Sequence, residues 1–288
     1  ITDLAYQKFG SCGFYFKNLI NTLFPNNTSS KKERNELLEK YKSSVKNLDK
    51  TASLYGDNLI VIMLESFEWF AIDPYNTPNL WALKTGQASE NISNQAMVFT
   101  NYNSNNKTNV SENLLMLGFM PSVCNFNTKS NKEYATKHSL PNLLKQEGYT
   151  TSYFHNWDPN FYARGTTNKN LGFENVYTID DFENENKSTK FNYYNLETDF
   201  ANQFMDKIAP TDGKPFMSFY TTVSSHGLYN VINPKFEKYY KTYDKNLANM
   251  KQWFFDNGYH YPNSEDMQSV LKHYKSAMMD ADEMIGNI

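Results

Sequence analysis

The chain has 288 residues, 40% hydrophobic and 16% aromatic, with 21 Tyr and 21 Phe, which excludes a chain disordered throughout. Lys and Arg number 28 against 31 Asp and Glu, so the formal net charge is −3 and there is no electrostatic case for nucleic acid as a partner. The two cysteines, Cys12 and Cys124, form no CxxC or zinc-ligand spacing, and no run reaches the roughly 18 apolar residues of a membrane span.

Residues 1–57 read as a helical preamble. Phe14 to Ile20 is apolar-rich and is expected to pack against the main domain, with a position near a membrane surface as the alternative. Pro25 to Ser30 is a polar break, and Lys31 to Leu48 carries helical spacing in Leu37, Leu38, Tyr41, Val45 and Leu48. No leader is recognisable at Ile1, and any membrane attachment is expected from segments outside this chain.

From Asn58 onward, strand and helix patterns alternate. Leu59-Ile60-Val61-Ile62-Met63-Leu64 is an apolar run that ends in Glu65-Ser66-Phe67. It reads as a buried strand of a parallel sheet, covered on both faces. Further strands are expected at 97–102, 149–154 and 215–223, and helices at 78–84, 109–118, 139–147, 195–208 and 264–285. In the segment 139–148, Ser139 stands at the N-cap position, Pro141 in the first turn and Gly148 at the end. The Asn- and Lys-rich stretches 125–133 and 183–190 read as surface loops. Alternation of this kind predicts an α/β fold: a mostly parallel central sheet with helices on both faces.

In open α/β sheets ligands sit outside the carboxyl ends of the strands, where this sequence places several reactive side chains. Glu65 follows the first strand. Thr108 sits in the polar turn Asn105-Asn106-Lys107-Thr108 that opens a helix, where unpaired N–H groups create a mildly positive field. A threonine hydroxyl there is either a cap or a nucleophile, and the second role needs a base or a metal. His155 leaves the strand 149–154, with Arg164 nine residues on; an arginine fork suits phosphate or sulfate. His226 follows the last strand in Ser224-Ser225-His226. Taken singly, these residues could equally be a helix cap, structural histidines and a surface arginine.

The ordered set Glu65-Ser66-Phe67, Asn106-Lys107-Thr108, Phe154-His155, Tyr162-Ala163-Arg164 and Ser225-His226 resembles the extracellular domain of the lipoteichoic acid synthases. These are phosphoglycerol transferases of the sulfatase and alkaline phosphatase superfamily. The likeness runs from about residue 58 to 285, with further landmarks in Asn76-Thr77-Pro78-Asn79-Leu80 and in Arg164 to Phe173. It implies a membrane-anchored enzyme on the extracellular face of a bacterial cell membrane, acting on phosphatidylglycerol or a glycerophosphate polymer. Glu65 would ligate one divalent metal, manganese first, with magnesium or zinc as alternatives. Thr108 would ligate the same metal and act as the nucleophile. His155, Arg164 and His226 would hold the phosphoglycerol group, with Tyr162 where the family has a tryptophan and Lys107 neutralising charge.

One departure is plain: the Gly-Asp-His motif that completes the family's metal site does not occur in these 288 residues. The resemblance therefore implies a catalytic domain over 58–288 whose C-terminal part is missing. A weakly coordinated metal, or ligands from outside the chain, is then expected. The alternatives are a hydrolase of the same superfamily, such as a sulfatase or phosphodiesterase, a phosphoethanolamine transferase, and a non-catalytic relative that binds a glycerophosphate polymer. Against an arylsulfatase, no Cys-x-Pro-x-Arg or Ser-x-Pro-x-Arg segment occurs.

Overall fold

Four short β-branched and aromatic segments pair through parallel backbone ladders in the computed structural model of the protein. They are β1 (Leu59–Met63), β2 (Thr150–His155), β3 (Asn175–Thr178) and β4 (Phe216–Thr221). The structure describes residues 57–86, 107–118, 139–191 and 193–288, together with Glu36, Glu39 and Val98 singly. The chain divides into two compact units, Ile1–Tyr55 and Gly56–Ile288. Glu36 and Glu39, both helical, are the described residues of the first unit. The rest of the helix expected over Lys31 to Leu48, the strand expected at 97–102 apart from Val98, the loop at 125–133, Cys12 and Cys124 lie outside the described residues. Among those described, no helix is long and apolar enough to cross a membrane.

The sheet order is β1-β4-β2-β3. Parallel neighbours need crossovers, and helices supply them: α1 (Pro78–Thr85), α2 (Thr108–Leu117), α3 (Leu140–Gln146), α4 (Arg164–Leu171), α5 (Glu197–Gln203) and α6 (Met205–Ile208), while α7 (Glu237–Asp256) and α8 (Glu265–Asn287) follow the last described strand. Because strand side chains alternate, neighbouring residues feed two cores. Tyr153, Phe219 and Val61 pack with Met116 of α2, Leu140 of α3 and Leu171 of α4 on one face. Phe154, Tyr220 and Ile62 pack with Phe200 of α5, Ile208 of α6 and Met284 of α8 on the other. The sheet thus has helices on both faces, as the alternation predicts.

Several expectations are corrected. β1 is not covered on both faces along its length: it is the outermost of the described strands, pairs only with β4 among the described residues, and leaves Ile60 37% exposed. An apolar run reports average burial but not position in the strand order. The helix expected over 195–208 is two helices that meet at Phe204. Ser139 is at the N-cap of α3, yet its hydroxyl donates to the Leu171 carbonyl and not to the helix. That contact ties α3 to the end of α4, where Gly172 adopts φ +102 and a Cβ would lie 2.7 Å from that of Asn142. Glycine is required there on both counts. β3, α4 and α7 were not anticipated. The inward stripe of α7 is Tyr239, Tyr243, Met250 and Phe254, so tyrosine carries the helical period that a search for aliphatic residues overlooks.

Outside the sheet, α8 contributes buried charge. Asp280 accepts from Glu197 N (2.7 Å), Ser224 Oγ (2.9 Å) and Thr198 Oγ1 (2.9 Å). Asp282 accepts from Leu80 N (2.7 Å) at the start of α1. Glu197 in turn accepts from Val223 N (2.5 Å) and Ser224 N (2.7 Å), holding the turn that leads to His226. Burial first, then the neighbouring Asp280 charge, pushes the Glu197 carboxyl up to about 7.

A carboxyl whose folded pKa lies above its unfolded value binds its proton more firmly in the folded state. Its contribution to stability is complete below the unfolded value of 4.5 and is lost as pH rises through about 7. Glu197→Gln keeps an oxygen for the two N–H groups and never ionises. Its melting temperature relative to wild type is expected to rise between about pH 5 and about pH 8. Thermal scans across that range check this; a constant difference would show that Glu197 does not titrate there.

Candidate active site

The last rung of the sheet aligns Met63 with Thr221, Thr221 with His155 and His155 with Thr178, so the four described strands end at one level. Two residues past Met63, Glu65 is fixed by its backbone. Its N–H donates to Thr222 Oγ1 (2.9 Å) and its carbonyl accepts from Ser225 Oγ (2.7 Å). Ser66 follows at φ 55, a left-handed conformation uncommon outside glycine. Tyr274 of α8 spans this turn, accepting from Glu68 N (2.9 Å) and donating to Ser66 O (3.2 Å).

Thr108 is the first residue of α2, with exposed Lys107 before it in an extended conformation. Its hydroxyl does not cap the helix. It donates to Glu65 Oε2 at 2.5 Å, while Ser66 Oγ donates to Oε1 at 3.1 Å. The two residues, 43 positions apart, meet at the carboxyl edge of the sheet.

His155 is buried, and its Nδ1 is 2.9 Å from the Thr221 carbonyl. A carbonyl only accepts, so the proton is assigned to Nδ1 and the lone pair to Nε2. Burial, then the Arg164 charge, pulls the His155 pKa well below its ordinary value, which favours the neutral ring. Its Nε2 is buried and has no hydrogen-bond partner among the described residues.

Arg164 opens α4 and is 3% exposed. Its Nε donates to Glu112 Oε1 (3.1 Å) and Oε2 (3.2 Å). Burial opposes the guanidinium charge, but Glu112, Tyr153 and, more weakly, Glu65 outweigh it and raise the Arg164 pKa. The rings of Tyr162 and Phe161 lie 5.2 and 5.9 Å from the guanidinium carbon. Tyr162 and Ala163 both have positive φ, at 57 and 51, so the turn that presents these rings is strained.

His226 is half-buried. Its Nδ1 is 2.7 Å from the Gly227 carbonyl, and its ring meets those of Phe191 and Tyr194. It belongs to the same edge through Ser225, which bonds the Glu65 carbonyl. Glu65 and Thr108 are thus in direct contact, Arg164 is coupled electrostatically to Glu65 and His155, and His226 is joined through the adjoining loop. Glu112, Thr221 and Ser225 were missed. Glu112 could have been found from its spacing, since residues four apart share a helix face with Thr108.

Glu65 and Thr108 offer two hard oxygen donors, the type that suits magnesium or manganese. Their number falls short of a closed site: no group of three or more His, Cys, Asp or Glu that could hold a metal occurs among the described residues.

A family model described as Sulfatase matches residues 57–288. No curated protein sequence gives a significant match. Solved structures do. The chain is similar to a protein of the alkaline phosphatase superfamily from Vibrio parahaemolyticus (18% identity, TM-score 0.56, 89% of this chain and 59% of that one). It is similar to the Streptococcus pyogenes phosphoglycerol transferase GacH in complex with sn-glycerol-1-phosphate (14% identity, TM-score 0.52, 91% and 64%). A third is the lipoteichoic acid synthase LtaP from Listeria monocytogenes (20% identity, TM-score 0.50, 86% and 56%). At these identities the likeness is one of fold, and that fold is the α/β architecture of the alkaline phosphatase and sulfatase type. The chain spans between 56% and 64% of the length of these three structures.

Proposed function

The chain belongs to the sulfatase family, and from that premise we propose that it is the catalytic part of an extracytoplasmic, metal-dependent phosphoglycerol transferase of the lipoteichoic acid synthase type. In this reading residues 58–288 form the catalytic domain and 1–57 the helical segment that follows a membrane anchor. The substrate is phosphatidylglycerol, and the acceptor is a glycerophosphate polymer.

The observation that carries the proposal is the 2.5 Å hydrogen bond from Thr108 Oγ1 to Glu65 Oε2 at the N-terminus of α2. A threonine held by a carboxylate, with the helix end behind it, is a hydroxyl prepared to lose its proton where negative charge is tolerated. Thr108 Oγ1 attacks the phosphorus of the lipid, the bond from phosphorus to the diacylglycerol oxygen breaks, and diacylglycerol leaves with a proton. The glycerophosphoryl group stays on Thr108 until an acceptor hydroxyl attacks phosphorus, gives up its own proton and restores the threonine.

Arg164 donates to the phosphate oxygens, a stabilisation worth several kcal/mol in a site shielded from water. Lys107 adds positive charge at the entrance, and His226 and Tyr162 border the head group. The buried lone pair on His155 Nε2 cannot donate to phosphate; it suits a hydroxyl of the glycerol, which gives the site a preference for a polyol.

Glu65 and Thr108 are the donors for a divalent cation, manganese first with magnesium or zinc as alternatives, and further ligands must come from outside the described residues. When bound, such an ion lowers the pKa of a ligated hydroxyl and neutralises phosphate charge.

The test is to incubate the full-length protein with manganese and phosphatidylglycerol bearing a fluorescent acyl chain. Fluorescent diacylglycerol should be released, and mass spectrometry should find a glycerophosphoryl group on Thr108. The short count of cation ligands favours one second reading, a non-catalytic relative that holds glycerophosphate polymers. Binding of glycerol phosphate with neither diacylglycerol release nor modification of Thr108 would establish it. Diacylglycerol release with free glycerol phosphate as the only other product would point to a hydrolase.

A further inference from the structure

Glu112 lies one helical turn beyond Thr108 on α2 and is 5% exposed. Its carboxylate is saturated by groups from three other elements. Arg164 Nε bonds both oxygens, while Tyr153 Oη of β2 (2.9 Å) and Thr221 Oγ1 of β4 (2.7 Å) donate to Oε1. The Thr221 backbone carbonyl is the partner of His155 Nδ1. Glu112 is therefore joined directly to Arg164 and, through one residue, to His155.

Packing alone is a weak account of this arrangement, because apolar residues of similar volume fill such a space without desolvating two charges. The geometry has a specific consequence for the arginine. Among the described residues only Nε of Arg164 is hydrogen-bonded within the protein, which leaves both terminal amino groups of the fork for an anion. The aromatic rings of Phe161 and Tyr162 limit where the guanidinium plane can go.

We propose that Glu112 is a positioning residue: it holds Arg164 by Nε so that the two terminal amino groups meet the transferred phosphate. Its place on α2 fixes the distance from that phosphate to Thr108. The inference rests on the reading in which Arg164 binds the phosphoglycerol group.

The test is a cycle of four full-length proteins: wild type, Glu112→Gln, Arg164→Met and the double variant. Each is titrated with sn-glycerol-1-phosphate and, separately, with inorganic phosphate, by calorimetry. Glu112→Gln is expected to weaken glycerol phosphate binding about tenfold, the scale of one charged hydrogen bond. It should raise KM for phosphatidylglycerol more than it lowers kcat. In the Arg164→Met background the same change should have no further effect, because the residue it acts through is gone. An equal loss in both backgrounds, or no loss in either, overturns the proposal.

The inorganic phosphate arm separates the two readings. Phosphate binding that depends on Glu112 only while Arg164 is present upholds the positioning role, even where glycerol phosphate fails to bind and the substrate assignment falls. Failure of both anions to bind wild type overturns both. If Glu112→Gln does not fold, Glu112→Asp keeps the charge and draws the guanidinium back by about one methylene length. An Arg164-dependent loss of affinity in that variant supports the proposal, and unchanged affinity refutes it.

Discussion

Replacing Thr108 with alanine is expected to abolish diacylglycerol release while leaving the protein folded. The hydroxyl is the proposed attacking group, and deleting a nucleophile in comparable covalent mechanisms lowers turnover by about 10⁴-fold or more. Its structural contribution is small by comparison. The side chain is only half-buried, and the interaction lost is the hydrogen bond to Glu65, worth about 1–3 kcal/mol where a charged group is involved. The measurement is diacylglycerol release, read beside a thermal melt. Thr108→Ser should retain part of the activity because the oxygen remains at the start of α2. Full activity in Thr108→Ala would remove the residue from the chemistry and take the covalent mechanism with it.

The largest effect on stability is expected at Lys275. Its side chain is wholly buried among Phe70, Trp253 and Phe254, and Nζ donates to Asp73 Oδ2 (2.7 Å) and to the Phe70 carbonyl (2.5 Å). Burial lowers the Lys275 pKa, with Asp73 working in the opposite direction. In Lys275→Met the apolar stem is retained, but Asp73, also wholly buried, loses its only ion-pair partner among the described residues.

Removing one member of a buried pair costs about 3–5 kcal/mol, since the remaining charge is left uncompensated. For a domain of this size that corresponds to a fall in melting temperature of roughly 6–20 °C. Adding Asp73→Asn should recover part of the loss. Asparagine keeps the oxygen that accepts from Tyr75 N and Asn76 N, and it no longer carries a charge. Calorimetry of the two single variants and the double checks this; simple additivity would show that the two groups are not coupled. The pair also braces the segment from Phe70 to Thr77, and the adjacent Tyr274 holds the turn after Glu65, so a loosened Lys275 variant is expected to lose activity as well.

By itself the sequence determined the fold class and the approximate ends of β1, β2 and β4, though not β3. The apolar run before Glu65 and the strand before His155 are local patterns, and a chain that alternates strand and helix has few ways to bury both faces of a sheet. Because all four strands run parallel, the residues that follow them gather at one edge. Glu65, His155 and His226 could thus be placed there before any coordinates.

What only the tertiary structure decided is which side chains pair across that edge. The order β1-β4-β2-β3 brings Thr221 between Met63 and His155 and leaves β1 outermost among the described strands, with Ile60 exposed. Nothing local in an apolar hexapeptide encodes that order. The partnerships Glu112 with Arg164 and Asp73 with Lys275 join residues 52 and 202 positions apart. Each is a charged group that would read as surface in isolation. Its burial is tolerable only because a partner from a distant element satisfies it, and that partner is known only once the chain has folded.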